Sequence, residues 1–559
     1  MARKTTLPKE MLRRSFAIFF VCIGVYLFLI YRTFNIQIVK GEEYKNKLEK
    51  QNTNKIELNN GRGTIYDRNN KPLTDTNTKT VLIVDRQKFF NDPDFKNLVE
   101  EAIDINNVKD KEDLVYDISS SLIEIEIDNL DFKLEKELEK NGVIVENRNY
   151  RYQENGLLSH TIGYISKSDN KGVSGIEKYQ EDILNNSNEE YVSVFKAGQI
   201  GGNVDNKFVS NLNGTVKTVK KNEDAKHIRL TIDKDIQENL ERVVDNEKNP
   251  SVAIISDVEK GEILAMTSRP NFDQYNIENY LNSSNKELMN RATQVTYQPA
   301  SIFKIVVLYS ALKNGIIDES YTYNCCGEEV VKNSDEKLKC IKLDGHGVQT
   351  LNEAFANSCN TAFLDIANKM DDKDIIDSAK ELHLGELVNL GIEEVNGNVE
   401  KNTDSRNLPI GQGSIEVTPI QINQMTQIIA NNGTYKPLKL YDSIIDDEKN
   451  IIKSFEVSNE EEIISPFIIS KVKEAMKQVS QIGTAKDLNT LEKGSAVKTG
   501  TAQIKVNNTN TNNWLITGFY PENEPKYAIT VIVEGTGNAE NDTNKSAVPI
   551  FKNICEFLN

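Results

Sequence analysis

The sequence predicts an α+β protein with a single N-terminal transmembrane helix, an elongated middle region, and a C-terminal domain whose central antiparallel sheet is covered by helices. Three observations predict it. Residues 15–31 carry no charge. Strand signals stand at both ends of the stretch after residue 226, with helical patterns between them. A chain of 559 residues is too long for one ordinary core and divides into two or three domains.

The first element is the segment from Ser15 to Tyr31, between Arg14 and Arg32. As a helix it would run about 26 Å, close to the hydrocarbon thickness of a bilayer. Arg3, Lys4, Lys9, Arg13 and Arg14 precede it. They place residues 1–14 in the cytoplasm and everything after the span outside, on the cell membrane's extracellular face. A cleaved signal peptide is the competing reading, but no small-residue cleavage site follows. Next comes a solvated helical stalk over residues 32–54, opening a region that runs to residue 225. Here short strands alternate with charged helices such as Asn129 to Asn141. The region offers no nucleophile, metal cluster or phosphate loop, and His160 reads as structural. The pattern changes at His227, where a strand runs into an amphipathic helix. Val252–Ser256 and Glu262–Met266, joined through Lys260-Gly261, form a hairpin. Helices follow over Ile305–Lys313 and Thr418–Asn432. The last strands, Asn513–Tyr520 and Lys526–Glu534, are linked by Pro521 to Pro525.

Hydrophobic content of 38% supports globular cores under a polar surface. The net charge of −17, with no basic stripe beyond the N-terminus, argues against nucleic-acid binding.

Three short motifs carry chemistry. Ser301-Ile302-Phe303-Lys304 has the form S-x-x-K at a helix start, a spacing that puts serine and lysine on one face. A neutral, desolvated lysine amine can take the serine's hydroxyl proton, and a helix N-terminus offers free backbone N–H groups. Ser358-Cys359-Asn360 and Lys498-Thr499-Gly500-Thr501 follow in the order S-x-N, K-T-G.

That triplet resembles the active-site set of the penicillin-binding proteins and serine β-lactamases. Arg62-Gly63-Thr64-Ile65-Tyr66-Asp67-Arg68-Asn69 resembles the R-G-x-I-x-D-R-N motif that opens the non-catalytic domain of class B penicillin-binding proteins. His160 to Tyr164 and Gly172 to Tyr179 also resemble segments of that domain. The chain is thereby identified as a member of class B, the monofunctional peptidoglycan D,D-transpeptidases. The resemblance implies a stalk and pedestal or dimerisation-type domain over 32–225 and a serine β-lactamase-like transpeptidase domain over 226–559. It implies Ser301 as nucleophile, Lys304 as its base, Lys498 as the neighbouring cation and Ser358 as proton relay. Asn360 would bind the substrate backbone, and Thr499, Gly500 and Thr501 would hold its terminal carboxylate. The backbone N–H groups of Ser301 and Thr501 would form the oxyanion hole. The substrate implied is a peptidoglycan stem peptide ending in D-Ala-D-Ala, with β-lactam antibiotics as mimics and no cofactor for catalysis. Partners implied are a multispanning membrane glycan polymerase and other cell-wall assembly proteins, in elongation, division or sporulation. Two alternatives are a membrane β-lactam receptor, weakened by the short cytoplasmic tail, and a catalytically idle scaffold, weakened by the intact motifs.

The six cysteines raise a separate question. Cys325, Cys326, Cys340, Asp344 and His346 suit a structural zinc site. Adjacent cysteines rarely both ligate one ion, which points to Cys325 rather than Cys326. A disulfide from Cys325 or Cys326 to Cys340, or plain reduced thiols, are the alternatives. Cys359 reads as a small buried filler.

Overall fold

The computed structural model describes residues 9–35, 38, 40, 53–105, 122–127, 130–185, 189–195, 215–220, 225–400, 404–455, 460–506, 509–535 and 547–559. An N-terminal helix spans Lys9–Phe34. The side chains of its first turns, Ser15 to Ala17 included, lie outside the described residues, as does most of the expected stalk. Among the described residues no helix is long and apolar enough to cross a membrane.

The chain divides into two compact units. The first comprises residues 1–60, 78–148 and 189–221. It contains two three-stranded sheets. One pairs Thr53–Asn60 with Glu189–Phe195 and Thr215–Lys220; in the other, Asn77–Asp85 lies between Leu122–Ile127 and Ile144–Tyr150. Strand Asn77–Asp85 is buried along Val81–Val84, with Val81 and Ile83 facing one apolar cluster and Leu82 and Val84 the other. That split follows from the two-residue period of a strand. The second cluster is closed by Phe95, Val99 and Leu138, on helices Pro93–Ile105 and Phe132–Lys140.

The second unit comprises residues 61–77, 149–188 and 222–559. Two segments that precede residue 226 therefore pack with the C-terminal part of the chain. Ile65–Tyr66 pairs in parallel with His227–Leu230. Close by, Glu177 is fully buried and accepts from Arg62 Nε at 2.9 Å, Arg151 Nε at 2.7 Å and Tyr152 Oη at 3.3 Å. The motif arginine at 62 is thus one arm of a buried ion cluster. Removing one partner of such a cluster costs about 3–5 kcal/mol, because the charges left behind are desolvated and unpaired. Glu177→Ala is expected to lose that much stability in urea unfolding followed by circular dichroism; a loss under about 1 kcal/mol would contradict the role given to the cluster.

The unit's core is a five-stranded antiparallel sheet. Its strands are β1 (Ser251–Asp257), β2 (Ile263–Arg269), β3 (Ala496–Val506), β4 (Thr509–Tyr520) and β5 (Tyr527–Val533), in the order β2-β1-β5-β4-β3. The expected hairpin is β1–β2, turning at Gly261, whose φ of +66° suits glycine. Strands β1 and β2 read as nearly continuous apolar runs because helices cover both faces. The helices are α1 (Lys234–Val244), α2 (Lys304–Lys313), α3 (Leu351–Ala356), α4 (Asn360–Asn368), α5 (Asp372–Glu381), α6 (Pro419–Ala430), α7 (Pro466–Gln481) and α8 (Ala547–Phe557). Helix α6 lies against β1, β4 and β5, and it is buried at all twelve positions. Its Asn423 bonds Ser256 Oγ at 2.6 Å and Ala528 O at 3.1 Å. Helices α1 and α8 pack against each other and on the sheet. Strand β3 is left as an edge, and the three motifs converge on it.

Candidate active site

Ser301 lies in a single 3₁₀ turn, Ala300–Phe303, and Lys304 begins α2. The 3₁₀ geometry has three residues per turn, so positions i and i+3 eclipse. Lys304 Nζ accordingly reaches Ser301 Oγ at 3.0 Å. The turn is fixed from behind: Ala300 takes a left-handed φ of +49°, and its N–H donates to Gly411 O at 2.8 Å.

Ser358 connects α3 to α4, also with a left-handed φ, +53°. This conformation is uncommon for a residue other than glycine and marks a geometry held by its surroundings. It places Ser358 Oγ 3.2 Å from Lys304 Nζ and 3.1 Å from Lys498 Nζ. Lys304 also donates to Ser358 O at 2.8 Å and Asn360 Oδ1 at 2.7 Å, and Lys498 donates to Thr499 O at 3.0 Å. The Asn360 amide nitrogen has only a 3.5 Å contact with Lys339 O and remains available at the cleft.

Both lysines are fully buried. Burial pushes the Lys304 amine down to about 7, against a raising influence of the neighbouring Cys359 and Cys340 sulfurs. Lys498 is lowered well below the usual lysine range, first by burial and then by Lys304. Two desolvated amines sharing one serine hydroxyl cannot both hold an extra proton cheaply, so the pair titrates together and one member is neutral near pH 7. A neutral amine has two N–H donors and one lone pair. Ser358 O and Asn360 Oδ1 can only accept, so they take the two donors. The lone pair of Lys304 is then left for the Ser301 hydroxyl.

Thr499, Gly500 and Thr501 lie on edge strand β3, Thr501 in register with Trp514 of β4. Gly500 is needed for close approach: a Cβ there would come within 2.9 Å of Pro299 O and 3.4 Å of Ile302. Without a side chain at 500, the edge strand lies directly on the Ser301 turn. Ser301, Ser358, Asn360, Thr499, Gly500 and Thr501 line one cleft of about 930 Å³. Lys304 and Lys498, both buried, hydrogen-bond the Ser301 and Ser358 hydroxyls that line it. The structure thus brings together Ser301, Lys304, Ser358, Asn360, Lys498, Thr499, Gly500 and Thr501.

The cysteine region differs from the sequence expectation. Cys325, Cys340, His346 and Cys359 bring their ligand atoms within 4.8 Å of one another. Cys326 and Asp344 stand apart, both exposed. Cys325 ends strand Thr322–Cys325, and consecutive side chains there point to opposite sides, which carries Cys326 away from the cluster. The missed member is Cys359, the middle residue of the S-x-N motif. Among the described residues, which include all six cysteines, no disulfide is present. His346 Nδ1 lies 3.6 Å from Cys325 Sγ and 3.5 Å from Cys340 Sγ, and Cys340 Sγ lies 3.8 Å from Cys359 Sγ. A tetrahedral ion with bonds of about 2.3 Å to sulfur and about 2.0–2.1 Å to nitrogen separates sulfur from nitrogen by about 3.6 Å and sulfur from sulfur by about 3.8 Å. The donor set fits zinc. The Cys359 hydrogen bond also pushes the Cys340 thiol down and its own up, so the cluster starts with thiolate character at Cys340.

Residues 251–556 match the family described as the penicillin binding protein transpeptidase domain, and residues 57–216 match the penicillin-binding protein dimerisation domain. Stage V sporulation protein D of Bacillus subtilis (strain 168) is 28% identical, the match covering 97% of this chain and 85% of that protein. Peptidoglycan D,D-transpeptidase MrdA of Escherichia coli (strain K12) is 25% identical, covering 91% of this chain and 89% of that one. Among solved structures, penicillin-binding protein PBP2 from Helicobacter pylori superposes with a TM-score of 0.64 at 20% identity, covering 90% of this chain and 99% of that one. PBP2 of Pseudomonas aeruginosa in complex with WCK 5153 gives 0.60 at 20% identity, covering 90% and 96%. These two likenesses show the fold.

Proposed function

The chain belongs to the class B penicillin-binding proteins, and from that premise we propose how its own residues carry out peptidoglycan D,D-transpeptidation. The observation that carries the reading is the buried Lys304 amine, lowered to about 7 and 3.0 Å from Ser301 Oγ. Neutral Lys304 takes the Ser301 proton as Oγ attacks the carbonyl of the penultimate D-Ala. The oxyanion is held by the backbone N–H groups of Ser301 and Thr501, each such donor being worth about 10²- to 10³-fold in rate. Ser358 Oγ, between the two lysines, passes the proton to the departing D-Ala amine as the C–N bond breaks and the Ser301 ester remains. An amine of a neighbouring stem then attacks the ester, returns its proton along the same path and forms the cross-link. Lys498, Thr499 and Thr501 hold the terminal carboxylate, and Asn360 the stem-peptide backbone. β-Lactams enter as mimics and stop at the acyl-enzyme.

Three further assignments belong to the same proposal. Residues 15–31 anchor the chain in the cell membrane, supported by their lack of charge and the basic residues before them, with the catalytic domain outside. The non-catalytic region faces a membrane glycan polymerase and other assembly proteins. Cys325, Cys340, His346 and Cys359 hold a structural zinc, supported by the tetrahedral fit; with four protein ligands it would have no open position for substrate.

The test is the reaction itself. Incubated with a pentapeptide stem ending in D-Ala-D-Ala and an acceptor amine, the protein should release D-Ala and form the cross-linked product in proportion. Hydrolysed tetrapeptide with no cross-link would replace the transpeptidase reading with a carboxypeptidase, and no D-Ala release would overturn both.

A further inference from the structure

Thr484 lies outside all three motifs, in the loop that follows α7. Its Oγ1 is 2.5 Å from Thr499 Oγ1, and it lines the cleft beside Thr499, Gly500 and Thr501. The mount is stiff. Thr484 N–H donates to Ala356 O at 3.1 Å, and the N–H groups of Gly483 and Ala485 both donate to Val479 O at 3.2 Å. Gly483 permits that approach, since a Cβ there would come within 2.3 Å of Ala356 O. Ala356 ends α3, two residues before Ser358. The loop therefore ties the S-x-N segment to the K-T-G strand and finishes by placing one hydroxyl on Thr499.

We infer that Thr484 is a positioning residue for the substrate's terminal carboxylate, acting through Thr499. This rests on the reading of β3 as the carboxylate-binding strand. Two paired hydroxyls hold two hydrogens, of which one lies in the shared bond and one is left for a ligand. A carboxylate can only accept. Bound at Thr499, it draws that residue's hydrogen outward, and Thr484 donates into the lone pair this leaves. The two bonds then run in series and polarise each other. Without the Thr484 hydroxyl, Thr499 can turn its hydrogen elsewhere and its lone pair has lost a donor.

The experiment compares Thr484→Val, which keeps the shape, and Thr484→Ser, which keeps the hydroxyl, with the wild-type protein. Acylation is measured with benzylpenicillin and with its methyl ester, which lacks the carboxylate, and each rate is separated into binding and acylation steps. Thr484→Val should weaken binding of the free acid roughly tenfold with the acylation step little changed, leave the ester's rate at the wild-type value, and be restored by Thr484→Ser. Equal losses for acid and ester, or no rescue by serine, would assign Thr484 a purely structural role and overturn the inference. So would a valine variant that handles both compounds like the wild type. A wild-type protein that benzylpenicillin does not acylate would instead overturn the transpeptidase reading beneath it.

Discussion

Lys304→Met is expected to slow acylation of Ser301 by about 10³-fold, within the range that general-base catalysis supplies. Methionine fills the buried volume with no proton acceptor at its end, so the loss reports the amine's chemistry rather than a cavity. The rate should also depend on pH in one direction. The amine is a base only when neutral, and its value of about 7 means protonation below neutrality. The second-order rate constant for a fluorescent penicillin should therefore rise about tenfold per pH unit below pH 6, bend near 7 and level off above 8. A profile flat from pH 5.5 to 8.5 would show that the proton goes elsewhere.

The second large effect concerns the proposed zinc. Cys359 lies between Ser358 and Asn360, so an ion bound to Cys359 would brace two of the residues that hydrogen-bond Lys304. Losing it should let the S-x-N segment shift, and a displacement of about 1 Å at a reacting group costs on the order of 10²-fold. Cys325→Ser leaves the motifs intact and removes one ligand. Elemental analysis should give one zinc per wild-type chain and much less in the variant, with a lower melting temperature and about 10²-fold slower acylation. A wild-type chain that carries no metal, and that a strong chelator leaves unchanged in stability and rate, would mean that the cluster works as thiols alone.

The parts of this account that were legible in the sequence have a common cause. The S-x-x-K, S-x-N and K-T-G segments are short and locally determined, and a hairpin such as β1–β2 announces itself through Gly261 and two apolar runs. Strand β3 is not among the strands read from the sequence, because its burial depends on β4 and on the Ser301 turn. The placement of 61–77 and 149–188 with the second unit was not legible, since it rests on the parallel pairing of Ile65 with Ile228 and on charges that meet only in the fold. Cys359 reads in sequence as a buried filler and is buried, but its proximity to Cys340 and His346 was not legible there, because it exists only in the fold. The one clue was that a fourth cysteine follows Cys340 by nineteen residues, in the same short stretch as the other three. Thr484 left no trace, because a threonine after Gly483 has no periodicity or motif, and its partner lies fifteen residues on.

The central claim is that Ser301 is the acylated nucleophile. Intact mass of the purified protein, with and without a penicillin and beside Ser301→Ala, tests it most directly. The account predicts that one penicillin mass is added to the wild type and persists for many minutes, maps to the peptide bearing Ser301, and is absent from the variant. An adduct of equal size on Ser301→Ala, or none on the wild type, would contradict it.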